Sequence, residues 1–396
     1  PRIIIRLKKL LFSHRSPDAS SRAEIYRSAR EAQQRGQGER AINTLQQLID
    51  RLELQRLKGN RIPPALPEAL GVLGDLLLPD QPQRALEPLQ RSANLYRELG
   101  PAQRGQLAAV QGQLARAHRR LEQFSAAKAC AETQLELHRQ LRDGPGEVLA
   151  RDNLAAILVR QQRLDEAEDC YDKALTAASE TADPALAGHI LQQWGILQRR
   201  RNRHQKAITT LSQAVEAFQQ AGEKAQEMQT LDLLATTQVQ AGQLEEARGG
   251  YDRARKLAEG LEDRYHLAVN AQHLGILSLQ RAERIANPDI RATLLHQAKD
   301  HLQQSLALKL AMDNQAGAEA SYFQIGVVHW RLGNLEEAQR YLRRATELAE
   351  SLNLPKVYKN YSVLAMIARE RNDLGAVFHW QAKCDDKVAE LKGRRV

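Results

Sequence analysis

The sequence contains few aromatic residues, few cysteines and no long apolar segment. Phe, Trp and Tyr make up 4% of its 396 residues. Because strands need the aromatic and β-branched residues that are scarce here, we predict an all-helical protein. Cys130, Cys170 and Cys384 lack CxxC spacing, which argues against a disulfide framework or a structural zinc site. No stretch approaches the ~20 apolar residues of a membrane-spanning helix, and we expect a cytoplasmic protein.

The sequence also lacks the short motifs of common catalytic sites. It contains no GxxxxGK[ST] phosphate loop, no GxGxxG or HExxH motif and no GxSxG nucleophile elbow. His296 and His301 are five residues apart, a spacing that places them on different faces of a helix. We therefore predict that the protein is not an enzyme and that it has no catalytic residues, metal or cofactor.

The basic residues are mostly arginine. The chain has 57 basic and 48 acidic residues, a formal net charge of +9, and 42 of the basic residues are arginine. A guanidinium group can bind a carboxylate or a phosphate through two parallel hydrogen bonds. This balance fits an anionic partner, although net charge alone does not demonstrate one.

An internal repeat extends over nearly the whole sequence. The segment GQLEEA at Gly242–Ala247 reappears as GNLEEA at Gly333–Ala338. The alanine that ends this segment, here called the register alanine, recurs at intervals of 38 to 44 residues with one interval of 51: Ala41, Ala85, Ala127, Ala167, Ala207, Ala247, Ala298, Ala338 and Ala376. A sustained period of about 20 to 50 residues is typical of solenoids. We therefore predict about nine stacked repeats.

Each copy has the spacing of two helices joined by a polar turn. Small residues stand twelve positions before and seven after the register alanine, and a large residue stands four after it. We interpret the small positions as places where two helices approach closely and the large position as a filler between repeats. The residues are Ala115, Ala155, Gly195, Ala235 and Gly326 (twelve before), Ala174, Ala214, Ala254 and Ala345 (seven after), and Tyr171, Leu211, Tyr251, Leu302, Leu342 and Trp380 (four after).

This pattern resembles the tetratricopeptide repeat, in its longer variant of about 40 residues. The resemblance implies an all-α, right-handed superhelical solenoid of about nine helical hairpins. We predict hairpins near 20–57, 65–99, 102–142, 146–181, 184–221, 224–261, 264–312, 316–352 and 355–392, within one domain over 20–396. Residues 1–19 contain a mixed basic and apolar run, which we interpret as a linker or the remnant of a preceding domain.

The interval of 51 residues marks an insertion in the seventh copy. Its extra residues lie in the segment 276–297, around Asn287–Asp289. Because the apolar rhythm continues on both sides of that turn, we predict two helices that are each lengthened by about one and a half turns. Two roles remain open for this hairpin: a ridge that docks a partner, or a drifted repeat that only packs on its neighbours.

The resemblance also implies where a ligand binds, because the first helix of each hairpin lines the inner wall of the superhelix. The candidate partner-binding residues on this wall are Arg116, Arg119, Arg120, Asp152, Arg160, His189, Gln192, Arg199, Arg200, Gln229, Asp232, Gln272, Phe323, Trp330, Arg331, Tyr358, Tyr361 and Arg369. An arginine-rich middle and an aromatic C-terminal end would match a peptide with acidic residues followed by apolar ones. A structural alternative stays open, in which the arginines neutralise helix C-termini and Trp330 is packed.

Three functions are compatible with this pattern. The favoured one is a scaffold that binds a protein or an acidic peptide. The resemblance to the C-terminal repeat arrays of bacterial signal-transducing ATPases of the STAND type implies the sensing module of a larger signalling or defence protein. The second is a nucleic-acid-binding protein that uses the arginine-rich wall, with an affinity that falls steeply with salt. The third is a sensor of a small-molecule effector in a transcription regulator. We predict no membrane partner.

Overall fold

The computed structural model describes residues 38–59 and 61–393, and the statements below concern this part of the chain. It contains 17 α-helices and two short 3-10 helices, with no β-strand in the described range. The all-helical prediction is confirmed. The run at 1–19, most of the first half of the first predicted hairpin and residues 394–396 lie outside the described residues. None of the helices in the described ranges is both long and apolar enough to cross a membrane.

The chain divides into two compact units, residues 1–197 and 198–396. The helices that begin in the first unit are α1 (Gly38–Gly59), α2 (Ala65–Leu77), α3 (Pro82–Glu98), α4 (Arg104–Arg120), α5 (Phe124–Leu141), α6 (Gly144–Arg160), α7 (Leu164–Glu180) and α8 (Pro184–Arg200). Within this unit α2 packs on α3, α4 on α5 and α6 on α7, and each of these hairpins contacts the next. The boundary between the units falls near the end of α8.

The second unit continues the same arrangement. Its helices are α9 (His204–Ala221), α10 (Lys224–Gln240), α11 (Leu244–Gly260), α12 (Arg264–Arg284), α13 (Pro288–Ala311), α14 (Gln315–Arg331), α15 (Leu335–Ser351), α16 (Tyr358–Glu370) and α17 (Leu374–Gly393). Hairpins form between α10 and α11, α12 and α13, α14 and α15, and α16 and α17. Each helix therefore packs mainly on its neighbours in sequence, as a solenoid requires.

The turn inside the hairpins has one recurring backbone conformation. The residue five positions before the register alanine is left-handed, with φ between 56° and 84°, at Glu122, Gln162, Asn202, Gly242 and Gly333. The next backbone N–H donates a hydrogen bond to the carbonyl five residues earlier, as from Gln123 to His118 at 2.9 Å. This closing bond ends the first helix. The second helix then begins two residues after the left-handed one.

The register alanines mark the tightest positions of the repeat. Eight of the nine are completely buried: Ala41, Ala85, Ala127, Ala167, Ala207, Ala247, Ala298 and Ala338. Ala376 is the exception and is half-buried. In the last hairpin the backbone N–H of Val377 donates to the carbonyl of Asp373, the bond that a register alanine makes elsewhere. Val377 therefore occupies the register position, and the ninth repeat is displaced by one residue from the sequence prediction.

Glycines in three of the first helices let a large residue of the second helix come close. A methyl group on Gly326 would lie 2.7 Å from Cγ of Leu342, and one on Gly275 would lie 2.6 Å from Cγ of Leu302. Both leucines are completely buried. The sequence pattern of a small residue opposite a large one thus has a direct steric cause.

The inserted segment lengthens one hairpin as predicted. Helix α12 has 21 residues and α13 has 24, whereas helices α6 and α7 of an ordinary repeat have 17 each. The turn lies where the sequence placed it. Asn287 caps α13, and its side-chain oxygen accepts hydrogen bonds from the backbone N–H groups of Asp289 at 3.0 Å and Ile290 at 3.2 Å.

Candidate functional site

The candidate residues all lie on the first helices of hairpins. Helix α4 carries Arg116, Arg119 and Arg120; α6 carries Asp152 and Arg160; α8 carries His189, Gln192, Arg199 and Arg200; α10 carries Gln229 and Asp232; α12 carries Gln272; α14 carries Phe323, Trp330 and Arg331; and α16 carries Tyr358, Tyr361 and Arg369. The contacts of these side chains divide them into residues that bind their own chain and residues that do not.

Several of the arginines reach back to the preceding repeat. Arg160 forms an ion pair with Glu122 at 2.6 Å, and Arg120 donates a hydrogen bond to the carbonyl of Pro79 at 2.5 Å. Arg331 forms a longer ion pair of 3.4 Å with Glu283. In each case an arginine at the end of a first helix contacts the preceding hairpin, either in its turn or in the last residues of the helix before that turn. These three side chains already have structural partners.

Arg116 and Gln272 are also engaged with other parts of the chain. Arg116 lies 3.3 Å from a carboxylate oxygen of Asp75, whose side chain is only 9% exposed. The side-chain oxygen of Gln272 accepts a hydrogen bond from the ammonium group of Lys309. Both candidates therefore help to hold neighbouring repeats together.

The aromatic candidates are largely packed. Tyr361 is 6% exposed, its hydroxyl donates to Glu350 at 2.7 Å, and its ring stacks on Trp380. Burial, together with the Glu350 carboxylate, raises the pKa of Tyr361. The indole N–H of Trp330 donates to Glu370 at 2.9 Å, and Phe323 packs in the same apolar cluster. The one-residue displacement of the last repeat also moves Tyr361 from a groove position to a core position.

Arg119 and Arg199 differ from the other arginines. They are 80 residues apart, each eight positions before a register alanine, and both are half-buried. Neither forms a hydrogen bond or an ion pair with any residue in 38–59 or 61–393. Burial lowers the pKa of each guanidinium. A cation that has lost part of its hydration without gaining a direct ion pair is a place where an external anion can bind.

The surroundings of Arg119 form what we call the first cluster: Arg119, Asp152, Tyr171 and His189. The Asp152 carboxylate and Tyr171 oppose the lowering of the Arg119 pKa by burial. His189 Nε2 lies 3.3 Å from Oδ2 of Asp152, and this hydrogen bond raises the pKa of His189. Asp152 is thus shared between an imidazole and a guanidinium. All four residues belong to the first unit.

The surroundings of Arg199 form the second cluster: Arg199, Asp232, Tyr251 and His273. His273 Nδ1 lies 2.8 Å from Oδ1 of Asp232, and the ring of Tyr251 lies 5.2 Å from the His273 ring. Burial raises the pKa of Tyr251 to about 12, while the nearby positive charge of Arg199 opposes this rise. All four residues belong to the second unit.

The two clusters correspond at three of their four positions, and the fourth residue, a histidine, is displaced by about one helical turn. The arginines, the aspartates and the tyrosines are each separated by 80 residues, and the histidines by 84. Each cluster contains a half-buried guanidinium, an Asp–His pair and a buried phenol. The sequence pattern predicts only packing for Tyr171 and Tyr251 and does not point to His273. The double-repeat spacing of 80 residues is the signal that links the arginines, the aspartates and the tyrosines, and His273 lies outside this spacing.

The remaining candidates are more peripheral. Arg200, Gln229 and Arg369 are exposed, while Gln192 and Tyr358 are half-buried. In the described part of the chain, no group of three His, Cys, Asp or Glu side chains is placed to hold a metal ion. The two clusters are the candidate site that the proposal below concerns.

Comparison with family models identifies the repeat. The tetratricopeptide-repeat model matches residues 106–180 and 147–220, and a second model of the same repeat matches residues 319–352. The first two matches include the whole of the first cluster. Comparison with curated proteins found no significant match.

Solved structures with the same fold come from several proteins. A signal transduction ATPase with numerous domains and a tetratricopeptide-repeat sensor, from Pyrococcus horikoshii, aligns with a TM-score of 0.57 at 14% identity, over 98% of this chain and 62% of that one. The apo quorum sensor NprR from B. thuringiensis aligns with a TM-score of 0.53 at 17% identity, over 88% and 97% of the two chains. Aspartyl phosphate phosphatase F from Bacillus subtilis aligns with a TM-score of 0.52 at 13% identity, over 88% and 92%. At these identities the likeness concerns the fold. Together with the family matches, it shows a fold of stacked helical hairpins in which residues 106–180, 147–220 and 319–352 match the tetratricopeptide repeat.

Proposed function

We propose that this scaffold binds a protein or peptide partner through acidic groups that pair with Arg119 and Arg199. The observation that carries the proposal is that neither of these two half-buried guanidinium groups forms a hydrogen bond or a direct ion pair within the described ranges. Neighbouring arginines at the same ends of first helices, such as Arg160, are already ion-paired. The clusters are thus the places on these helices where an incoming carboxylate finds an available cation.

The chemistry of the clusters favours a carboxylate. A guanidinium group presents two parallel N–H donors that match the two oxygens of a carboxylate. Partial burial strengthens this attraction because the effective dielectric constant is lower than in water. An acidic side chain bound to Arg119 would also relieve the cost that burial imposes on that cation.

Each cluster contains a buried tyrosine whose ring is fixed by packing. Tyr171 and Tyr251 are each 3% exposed, and the hydroxyl of Tyr251 lies 3.0 Å from the hydroxyl of Thr236. A buried ring that is fixed by packing restricts the motion of side chains that lie against it. The arginine of each cluster therefore loses less conformational entropy on binding than a fully exposed arginine would.

We further propose that the chain is the ligand-sensing module of a larger signalling or defence protein. The similarity to the Pyrococcus horikoshii protein supports this, because that protein has a tetratricopeptide-repeat sensor and is longer than the aligned region. The quorum sensor NprR has the same fold. In this proposal the repeats bind and do not catalyse, and the partner is an acidic segment of a protein or peptide.

The test is an array of peptides probed with the fluorescently labelled chain. Each peptide that contains Asp and Glu has a matched version in which these residues are Asn and Gln. The proposal predicts that binding is enriched among the acidic versions and lost in the matched amides. Equal binding of both versions would contradict it. Stronger binding of a single-stranded RNA, with a steep loss of affinity as salt rises, would instead favour nucleic acid as the partner.

A further inference from the structure

A further basic site lies in the second unit. A cavity of about 350 Å³ is bordered by α11, α12 and α13, and four cationic side chains line it: Arg248, Arg255, Lys256 and Arg281. His301 of the lengthened hairpin also lines it. No residue of the first or second cluster does. The cavity is therefore a separate feature of the molecule.

The lining of this cavity carries more cations than carboxylates. Asp252 is its one lining carboxylate, and the ion pairs of Arg248 and Arg255 with Asp252 are long, at 3.8 Å each. Arg255 Nε also lies 3.9 Å from Glu259, which does not line the cavity. Arg281 pairs at 2.8 Å with Glu245, which does not line the cavity. A cavity with more cations than carboxylates focuses a positive potential on its interior.

Two polar groups in the cavity have no hydrogen-bond partner in the described part of the chain. Ser278 is only 7% exposed, lines the cavity and forms no hydrogen bond within residues 38–59 and 61–393. The Nε–H group of Arg255 is buried and has no hydrogen-bond acceptor. Buried polar groups are nearly always hydrogen-bonded in native proteins. The Nε–H group of Arg255 thus lacks an acceptor from the chain itself, and the Ser278 hydroxyl is free to donate to a ligand in the cavity.

We propose that this cavity binds a small molecule that carries a phosphate or pyrophosphate group. The acceptor oxygens of such a group match the several donors that converge here, namely the guanidinium groups, the Lys256 ammonium group and the Ser278 hydroxyl. Leu274 and Leu277 also line the cavity and offer an apolar surface to the rest of the ligand. The volume lies in the range of small-molecule pockets, about 300 to 1,000 Å³.

The lengthened hairpin contributes directly to this site. Arg281 lies beyond the point where a helix of 17 residues that starts at Arg264 would end, and Gln297 and His301 come from α13. The insertion that interrupts the repeat period thus supplies one of the four cations. In this account its role is to complete a ligand site.

The test is calorimetric titration of the whole chain with inorganic pyrophosphate. The wild type is expected to bind saturably, and the double variant Arg255→Gln, Ser278→Ala is expected to bind at least about tenfold more weakly, because charge-assisted hydrogen bonds are lost. The control is Arg253→Gln, which changes an exposed arginine of the same helix that does not line the cavity. It should bind like the wild type.

A second readout follows the His301 imidazole by NMR. Burial, with a contribution from the nearby charge of Arg255, lowers the pKa of His301. Bound pyrophosphate should raise this pKa, because it adds negative charge beside the ring. The absence of saturable heat, or equal affinities of the wild type and the double variant, would overturn the proposal. A loss of pyrophosphate binding in Arg199→Gln would overturn it as well and assign the anion to the second cluster.

Discussion

His189 Nε2 lies 3.3 Å from Oδ2 of Asp152, and the same carboxylate acts electrostatically on Arg119. Protonated His189 competes with Arg119 for Asp152, because a single carboxylate then faces two cations. The protonation state of His189 therefore affects how strongly Arg119 attracts an external anion. A hydrogen bond between α6 and α8, which holds two repeats together, is thus linked to the proposed binding of an anion by Arg119.

The Asp152–His189 pair predicts a pH dependence. The hydrogen bond to Asp152 raises the pKa of His189 in the folded chain. A raised folded-state pKa means that this contribution to stability is fully present below the unfolded-state pKa and is lost as pH rises through the folded-state value. We expect Asp152→Asn to lower the His189 pKa, as measured by NMR titration of the imidazole. An unchanged pKa in this variant would contradict the assignment.

The same pair predicts that acidic peptides bind more tightly as pH falls through the His189 pKa. Protonated His189 neutralises Asp152 and leaves Arg119 for the peptide. In Asp152→Asn this dependence should weaken, since the carboxylate that both cations share is gone. Fluorescence anisotropy at several pH values measures the effect. An affinity that is independent of pH in the wild type would show that the pair plays no part in binding.

The buried lysine on α13 predicts a second pH effect, on stability. Lys309 is 3% exposed, it donates to Ser321 at 3.0 Å, and burial lowers its pKa to about 8. The unfolded chain, in which a lysine has a pKa of about 10.4, therefore binds more protons between these values, and stability rises with pH by roughly 3 kcal/mol from this group.

The measurement is urea denaturation of the wild type and of Lys309→Met from pH 7.5 to pH 10. The variant should lack the rise in the free energy of unfolding that Lys309 causes. The substitution also removes the hydrogen bonds of Lys309. A loss that is the same at every pH does not change the slope of the free energy of unfolding against pH, and this slope is what is compared. Equal slopes would mean that Lys309 titrates as an ordinary surface lysine.

The contact of Gly326 with Leu342 predicts a steric effect on stability. A methyl group on Gly326 would lie 2.7 Å from Cγ of Leu342, which is completely buried. We expect Gly326→Ala to lower the free energy of unfolding by about 1 to 3 kcal/mol. Gly249→Ala is the matched control, because a methyl group there meets nothing within 4 Å. It should be neutral or stabilising, by up to about 1 kcal/mol. Equal effects would contradict the steric account.

The cap of the lengthened hairpin predicts a local effect. Asn287 accepts hydrogen bonds from the backbone N–H groups of Asp289 and Ile290, so Asn287→Ala should cost about 1 kcal/mol. Hydrogen exchange at these two amides measures the change. Their exchange should accelerate, while that of amides in the middle of α13 changes less. Unchanged exchange would indicate that the start of α13 does not depend on this cap.

Much of the fold could be predicted because it depends on local period. The burial of Ala127 or Ala167 follows from a spacing that repeats in the sequence. Asn287 is a residue type that favours the start of a helix, so the turn before α13 could be predicted as well. The displacement of the last repeat could not be read in the same way. Ala376 and Val377 are both apolar residues, and the backbone distinguishes them, through the hydrogen bond of Val377 and the left-handed Asn372 five positions before it.

The candidate site was harder to predict because it depends on contacts between repeats. Arg119 and Arg160 have the same side chain on equivalent helices, yet Arg160 forms an ion pair with Glu122, whereas Arg119 forms no direct ion pair or hydrogen bond in the described ranges. That difference depends on which acidic residue stands about 40 positions away and on the direction in which each side chain extends. Lys309 shows the same limit, since its burial depends on neighbouring helices.

The most direct test measures the affinity of one acidic peptide, chosen from the array, for the wild type and three variants. Arg119→Gln and Arg199→Gln each remove an unpartnered guanidinium, whereas Arg160→Gln removes an arginine that is paired with Glu122. Fluorescence anisotropy should show about tenfold weaker binding to at least one of the first two variants and wild-type affinity in the third. Wild-type affinity in both Arg119→Gln and Arg199→Gln would contradict the account.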